Sequence, residues 1–267
     1  MLTENEFYIK FNVQNLLEMD RPQNDYRFVA GCFQIDIGEA ERICKQFEAA
    51  VKKLAEEYVG EKGMPPFMEN KEECPIAFIG DSITSEREGF FRVIEYMLRE
   101  NPAYKLMDVS VSGAKIADIN DRLYERVISK KPKLAHVMIG TNDARKQNVD
   151  WAKCNTSAEE FEKDMAYLLR SLKEAGIITV VSTLPAPQND RLGIAFDGRN
   201  WIYDQSDIRD FNRIIAGVSQ DYACLLNDWV DGVDEDILSY DGVHLNARGT
   251  KLLLDSVVGK LNQALSV

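Results

Sequence analysis

The stretch PIAFIGDSITSEREGFF, residues 75–91, decides how the chain folds. Four apolar residues, 76–79, run into Gly80, and then Asp81 and Ser82 put an acid and a hydroxyl side by side before a helical pattern begins. A short, near-continuous apolar run reads as a strand covered on both faces, the mark of a parallel sheet. The pattern repeats downstream. Strand-like runs fall at 76–79, 106–111, 134–139, 177–184 and 224–227, and amphipathic stretches separate them at 87–100, 114–130 and 157–175, then at 204–221, with a last one after His244. Such alternation implies right-handed crossovers, so residues 74–267 are expected to form a three-layer α/β/α sandwich around a central parallel sheet.

Local signals support several boundaries. Gly176 ends the helix SAEEFEKDMAYLLRSLKEAG, which opens on a cap at Thr156 or Ser157 and offers Phe161, Leu168 and Leu172 as an apolar stripe. Asn246 can cap the final helix, where Leu253, Val257 and Leu261 recur every fourth residue. Residues 1–73 read as a separate N-terminal extension and linker. YRFVAGCFQIDIG has strand character, whereas the following stretch aligns Ile43, Phe47, Val51, Leu54 and Tyr58 on one helical face. The expected extension is a small α+β unit that packs on the main domain or on a partner, and it is a candidate surface for homo-oligomer formation.

Composition narrows the function. A net charge of −12 over 267 residues repels phosphate backbones and anionic headgroups, and SKKPK, the densest basic run, reads as a solvated turn, so neither nucleic acid nor a membrane surface is an expected partner. The acidic N-terminus lacks the features of a signal peptide, and a cytoplasmic location is expected. Five scattered cysteines, Cys32, Cys44, Cys74, Cys154 and Cys224, fit buried thiols better than a disulfide framework. The two histidines, His136 and His244, have no cysteine or second histidine at ligand spacing, so no metal site is expected.

In an open parallel sheet, ligands bind outside the carboxyl ends of the strands. Four polar motifs fall there. Ser82 follows the first strand, Gly113 the second and Asn142 the third, while DGVHLN supplies Asp241 and His244 ahead of the last helix. A serine hydroxyl becomes a nucleophile when an imidazole takes its proton, and a carboxylate on the other ring nitrogen fixes the tautomer, roles that suit Ser82, His244 and Asp241. The backbone N–H groups of Ser82 and Gly113 and the side-chain amide of Asn142 suit an oxyanion hole. His136, inside the third strand, reads as a core histidine.

These blocks resemble the GDSL, or SGNH, hydrolase superfamily. GDSIT is similar to its first block, Gly113 in VSVSGAKIAD to the second, GTND with Gly140 and Asn142 to the third, and DGVHLN to the block that carries the acid and the base; together they span residues 75–267 in the family's order. The resemblance implies a flavodoxin-like fold and hydrolysis of ester or thioester bonds through an acyl-serine, without a cofactor. It leaves the first seventy residues unmatched, and Ile83-Thr84 stands where the namesake motif has Leu.

The bland readings are specific. Ser82 alone could be a helix cap, Gly113 a turn glycine, and Asp143 rather than Asn142 the cap of its turn. Asp81 reads as the residue whose carboxylate holds the turn, and it stands with Phe196, Arg199, Trp201 and Tyr203 among the candidate substrate-binding residues. The last four lie with Arg191 in LPAPQNDRLGIAFDGRNWIYDQ, a long turn-rich insertion at the same rim. Asp231, Asp234 and Asp236 near Asp241 lack the spacing of a calcium loop. The expected substrate is a small acyl ester, short-chain or carbohydrate-linked, an acetyl group foremost. Acyl transfer to an alcohol or sugar, a lysophospholipase or thioesterase activity, and a non-catalytic binding module are the alternatives.

Overall fold

A computed structural model describes residues 2–16, 24–69, 71–195, 199–233 and 236–266. Its strands are β1 (Cys74–Gly80), β2 (Tyr104–Asp108), β3 (Leu134–Met138), β4 (Lys146–Gln147), β5 (Ile178–Ser182), β6 (Trp201–Ile202) and β7 (Leu225–Asn227). Five of them pair in parallel in the order β2-β1-β3-β5-β7, and β4 with β6 makes a separate antiparallel ribbon. This is the expected α/β/α sandwich with flavodoxin-like strand order. The order reverses beside β1, whose neighbours are β2 and β3, and the loops leaving these three strands open onto one crevice.

β1 and β3 are central, which is why their side chains are almost all buried and apolar. His136 is the polar member of β3. It is fully buried against the Phe78 and Phe90 rings, with Nε2 2.8 Å from Ser182 Oγ, and burial pushes its pKa down to about 3. A neutral core histidine is the result.

Helix Ala158–Glu174 opens on a reciprocal capping box between Ser157 and Glu160, an arrangement in which the cap residue alone contributes about 1 kcal/mol. It buries Phe161, Met165, Leu168, Leu169 and Leu172, whereas Thr156 turns inward to donate to Asp143. Asn246 caps helix Ala247–Leu265 by accepting from Gly249 N at 2.9 Å.

Three expectations are corrected. Residues 114–130 do not form one helix but Ile116–Asn120, Leu123–Arg126 and a 3-10 turn, Ile128–Lys130; the first break falls at Asp121-Arg122, where Arg122 leaves the helical conformation at φ −119° and ψ 3°. β2 stops at Asp108 rather than 111, although Val109 N and Val111 N still donate to Phe78 O at 2.8 Å and Gly80 O at 3.0 Å, and the Asp108 carboxylate accepts from Ser110 N at 3.1 Å. Among the described residues the N-terminal extension is helical, not α+β. Residues of YRFVAGCFQIDIG form helix Tyr26–Phe33, capped by Asp25, and the start of helix Ile37–Lys62, capped by Asp36. Both aspartates accept from a backbone N–H two or three residues on, which is what defeats the short alternation.

Helix Ile37–Lys62 spans two cores. Ile43, Cys44 and Phe47 pack with Ile9, Val29 and Ala30 in a small N-terminal cluster, while Val51, Ala55 and Tyr58 belong to the main core. Tyr58 Oη donates to Asp255 at 3.1 Å, and Lys62 and Lys251 add ion pairs across the same contact. The thiols are less uniformly buried than expected: Cys44 and Cys74 are buried, Cys154 and Cys224 half-buried, and Cys32 exposed. No described helix is long and apolar enough to cross a membrane.

Candidate active site

The turn after β1 sets the first group. Gly80 is required there because a Cβ would lie 2.7 Å from Met138 O and closer still to Thr84. Asp81 then caps the short helix Ser82–Ser85, its Oδ1 accepting from Ile83 N at 3.0 Å, and Ser82 stands at the helix start with its hydroxyl toward the crevice. Asp81 itself is buried beneath the turn and does not line the cavity, so its place among substrate-binding candidates is corrected; burial pushes its carboxyl up to about 6.

The loop before the last helix brings the second and third groups. Asp241 Oδ1 accepts from the Val243 and His244 N–H groups, both at 2.9 Å, and its Oδ2 accepts from His244 Nδ1 at 2.9 Å. That bond places the ring proton on Nδ1, so Nε2 accepts from the Ser82 hydroxyl at 2.8 Å. Burial would raise the Asp241 carboxyl, but the His244 charge and these hydrogen bonds outweigh it and hold the group well below the carboxylate range. Burial would likewise lower His244; Asp241 outweighs it and lifts the imidazole above its ordinary value. Arg191 holds the loop from outside through Asp236, at 2.7 and 3.0 Å, and Leu238 O, so it braces the site rather than lining it.

Three donors face the same cavity. Among the described residues neither Ser82 N–H nor Gly113 N–H has an acceptor in the protein, and Gly113 holds φ +82°, a conformation that favours glycine. Asn142 Nδ2 gives one hydrogen to Ala114 O at 3.1 Å and keeps the other for a ligand. Asp143 ties the two loops together by accepting from Ile116 N at 3.1 Å and from Thr156 Oγ1 at 2.7 Å. It therefore caps the neighbouring helix, not its own turn. A hydroxyl so placed can pass its proton to His244 as it attacks a carbonyl carbon, and the three donors can hold the resulting oxyanion.

The cavity above Ser82 holds about 330 Å³. Of the insertion residues expected there, Arg199, Trp201 and Tyr203 line it; Phe196, like Asp234, lies outside the described residues. The insertion is more ordered than expected, carrying helix Asn189–Ala195 and β6. Arg145 was not foreseen. Its guanidinium lies 4.0 Å from the Trp201 ring centroid, with Nη1 3.4 Å from Asn142 Oδ1. Its position three residues after Asn142 was the only sequence cue.

Nor was the N-terminal wall foreseen. Phe7, Tyr8, Phe11, Val13 and Phe33 line the cavity, and the Phe11 ring lies 4.5 Å from that of His244. The segment is fixed by buried polar contacts. Arg87 Nε donates to Ile9 O at 2.9 Å and Asn15 Nδ2 to Ser110 O at 2.9 Å, while Lys10 pairs with Glu86 at 3.3 Å and Glu88 at 3.1 Å. Burial works against the Lys10 ammonium, but the two carboxylates outweigh it and raise its pKa. Lys10 and Glu86 are both almost fully buried, and Glu88 gives the ammonium a second carboxylate. Among the described residues no group of three or more His, Cys, Asp or Glu side chains could hold a metal ion.

No curated protein matches the chain at a significant level. Solved structures do. A lipase/acylhydrolase from Enterococcus faecalis superposes with a TM-score of 0.57 at 18% identity, covering 71% of this chain and 96% of its own. The acetyl xylan esterase AlAXEase gives 0.54 at 24% identity, covering 70% and 99%. A catalytic mutant of Axe2, an acetylxylan esterase from Geobacillus stearothermophilus, gives 0.55 at 18%, covering 72% and 96%. At these identities the likeness establishes the fold. Residues 78–252 match the sequence model of the GDSL-like Lipase/Acylhydrolase family, a span that contains Ser82, Gly113, Asn142, Asp241 and His244. The chain therefore belongs to the GDSL-like lipase/acylhydrolase family, and with it to the carboxylic ester hydrolases.

Proposed function

We propose that the protein hydrolyses short-chain acyl esters of small alcohols, O-acetyl groups on carbohydrates foremost, through an acyl intermediate on Ser82. The observation that carries this reading is the hydrogen bond from the Ser82 hydroxyl to His244 Nε2, 2.8 Å, at the floor of a 330 Å³ cavity that Gly113 and Asn142 also line. Ser82 Oγ attacks the carbonyl carbon while its proton moves to Nε2. The oxyanion forms against the N–H groups of Ser82 and Gly113 and the Asn142 amide, where each donor is worth roughly 3 kcal/mol of barrier. Collapse breaks the ester C–O bond, and the imidazolium returns the proton to the departing alkoxide. Water then attacks the acyl-serine by the same route in reverse, and Asp241 keeps the imidazole in one tautomer throughout.

Size argues for a short acyl group. The cavity of about 330 Å³ stands at the low end of the roughly 300–1,000 Å³ usual for ligand pockets, which suits a compact ester. That two similar folds are acetyl xylan esterases is in keeping with this reading. The test is kcat/KM across p-nitrophenyl esters of increasing chain length and across acetylated sugars, with Ser82→Ala alongside. Activity should be highest on acetate and nearly abolished in the folded alanine variant. A preference for octanoate or longer chains would overturn the substrate class, and an unimpaired Ser82→Ala would overturn the nucleophile.

A further inference from the structure

The ester reading leaves open what recognises the alcohol, and the N-terminal segment supplies an answer that rests on that reading. Residues 78–252 match the family, so Phe7 and Phe11 belong to chain outside the matched span, yet both line the cavity above Ser82. The stereochemistry of the reaction fixes what they touch. The oxyanion is directed to Gly113 and Asn142, whereas the leaving oxygen must approach His244 Nε2 to receive its proton. Phe11 is the ring packed on that imidazole, with centroids 4.5 Å apart and planes at 43°. Phe7 continues the wall from Phe11, 5.1 Å between centroids and nearly perpendicular, and meets Tyr240 at 6.4 Å on its other side. The cation-bearing wall, Arg145 against Trp201, lies on the Asn142 side instead.

We propose that Phe7 and Phe11 form the subsite for the alcohol part of the ester, and that this alcohol is a pyranose. A departing alcohol leaves along aromatic faces, which favour flat, weakly polar surfaces such as the C–H face of a sugar ring. The sugar's hydroxyls point away from the wall toward the Arg145 and Arg199 guanidiniums, which line the same cavity against Trp201 and offer donors. Phe7 and Phe11 are specificity-determining residues in this arrangement, and neither takes part in the bond changes. Their own support is firm, because the buried Lys10 and Arg87 contacts hold the segment between them and the domain.

Phe7→Leu and Phe11→Leu retain apolar bulk and remove the flat face, and thermal melting verifies that each variant folds. The substrates are ethyl acetate, phenyl acetate and a mono-O-acetylated methyl xyloside, all acted on by the full chain. The expected result is a fall of about tenfold in the selectivity for the sugar ester over ethyl acetate in each variant, carried mainly by KM. Equal losses on the sugar ester and ethyl acetate would show that the rings only position His244, and would overturn the proposal. A loss confined to phenyl acetate would replace the pyranose by an aryl alcohol and overturn it as well. Calorimetric binding of methyl β-xyloside separates this proposal from the ester reading. Weaker binding in Phe11→Leu with unchanged binding in Ser82→Ala supports the subsite even if no acetate ester is turned over, and unchanged binding in both Leu variants refutes it.

Discussion

Glu86→Gln should make the protein more stable at neutral pH, and the gain should vanish in acid. Glu86 sits four residues after Ser82 and is almost fully buried beside Lys10. Burial pushes its carboxyl from an ordinary 4.5 up to about 7, even with the Lys10 ammonium 3.3 Å away pulling the other way. Between those two pH values the folded protein keeps a proton that the unfolded chain has released, so wild-type stability falls as pH rises through the window. At ~1.4 kcal/mol per pH unit the loss amounts to about 3 kcal/mol once the folded carboxyl has ionised. Glutamine mimics the protonated acid and cannot titrate. Below pH 4.5 the two proteins should be of similar stability, and by pH 8 the variant should lead by about 3 kcal/mol. Urea unfolding at half-unit steps from pH 4 to 8, with the slope m checked for constancy, measures the difference. Profiles that run parallel, or a variant that loses ground as pH rises, would refute the reasoning and mean that the Lys10–Glu86 pair is ionised and stabilising throughout.

Asp241→Asn removes the main support of the raised His244 pKa, so the acid limb of kcat/KM should move to lower pH while kcat falls roughly 10³- to 10⁴-fold; a pH–rate profile on p-nitrophenyl acetate reads both. Asn142→Ala should lower kcat by roughly 10²- to 10³-fold with little change in KM, since its free amide hydrogen is directed at charge that exists only in the transition state; a change confined to KM would argue against an oxyanion donor. Gly80→Ala forces a methyl group toward Met138 O and Thr84 and should destabilise the fold by about 3 kcal/mol, seen as a lowered midpoint in thermal melting.

What the sequence discloses of the site follows from its placement. Ser82, Gly113, Asn142 and His244 are polar residues or glycine standing directly after apolar strands or before a capped helix, and a parallel sheet sends all such positions to one rim. Composition and topology together therefore suffice to bring them near one another. The cavity wall is another matter. Phe7 and Phe11 stand at i and i+4, the spacing of any amphipathic helix, and nothing local says that their burial is against His244. The misread segment 26–38 fails for a related reason: over so few residues, alternation and helical periodicity fit the same apolar positions, and the caps at Asp25 and Asp36 are the better signal. Arg145 and Arg191 illustrate the limit from the polar side, since an arginine in a rim loop can line a cavity or brace its back, and only tertiary contact decides which.

The N-terminal wall also imposes an order on biosynthesis. Ile9 waits for Arg87, Asn15 for Ser110, and Phe11 for His244, so the segment completes its contacts in steps, the ring against His244 last. At roughly 5–20 residues per second the aromatic side chains stay without their partner surface for many seconds, an interval in which a nascent chain depends on chaperones or on its own acidic solubility. The enzyme gains its complete binding cleft only after His244 has emerged.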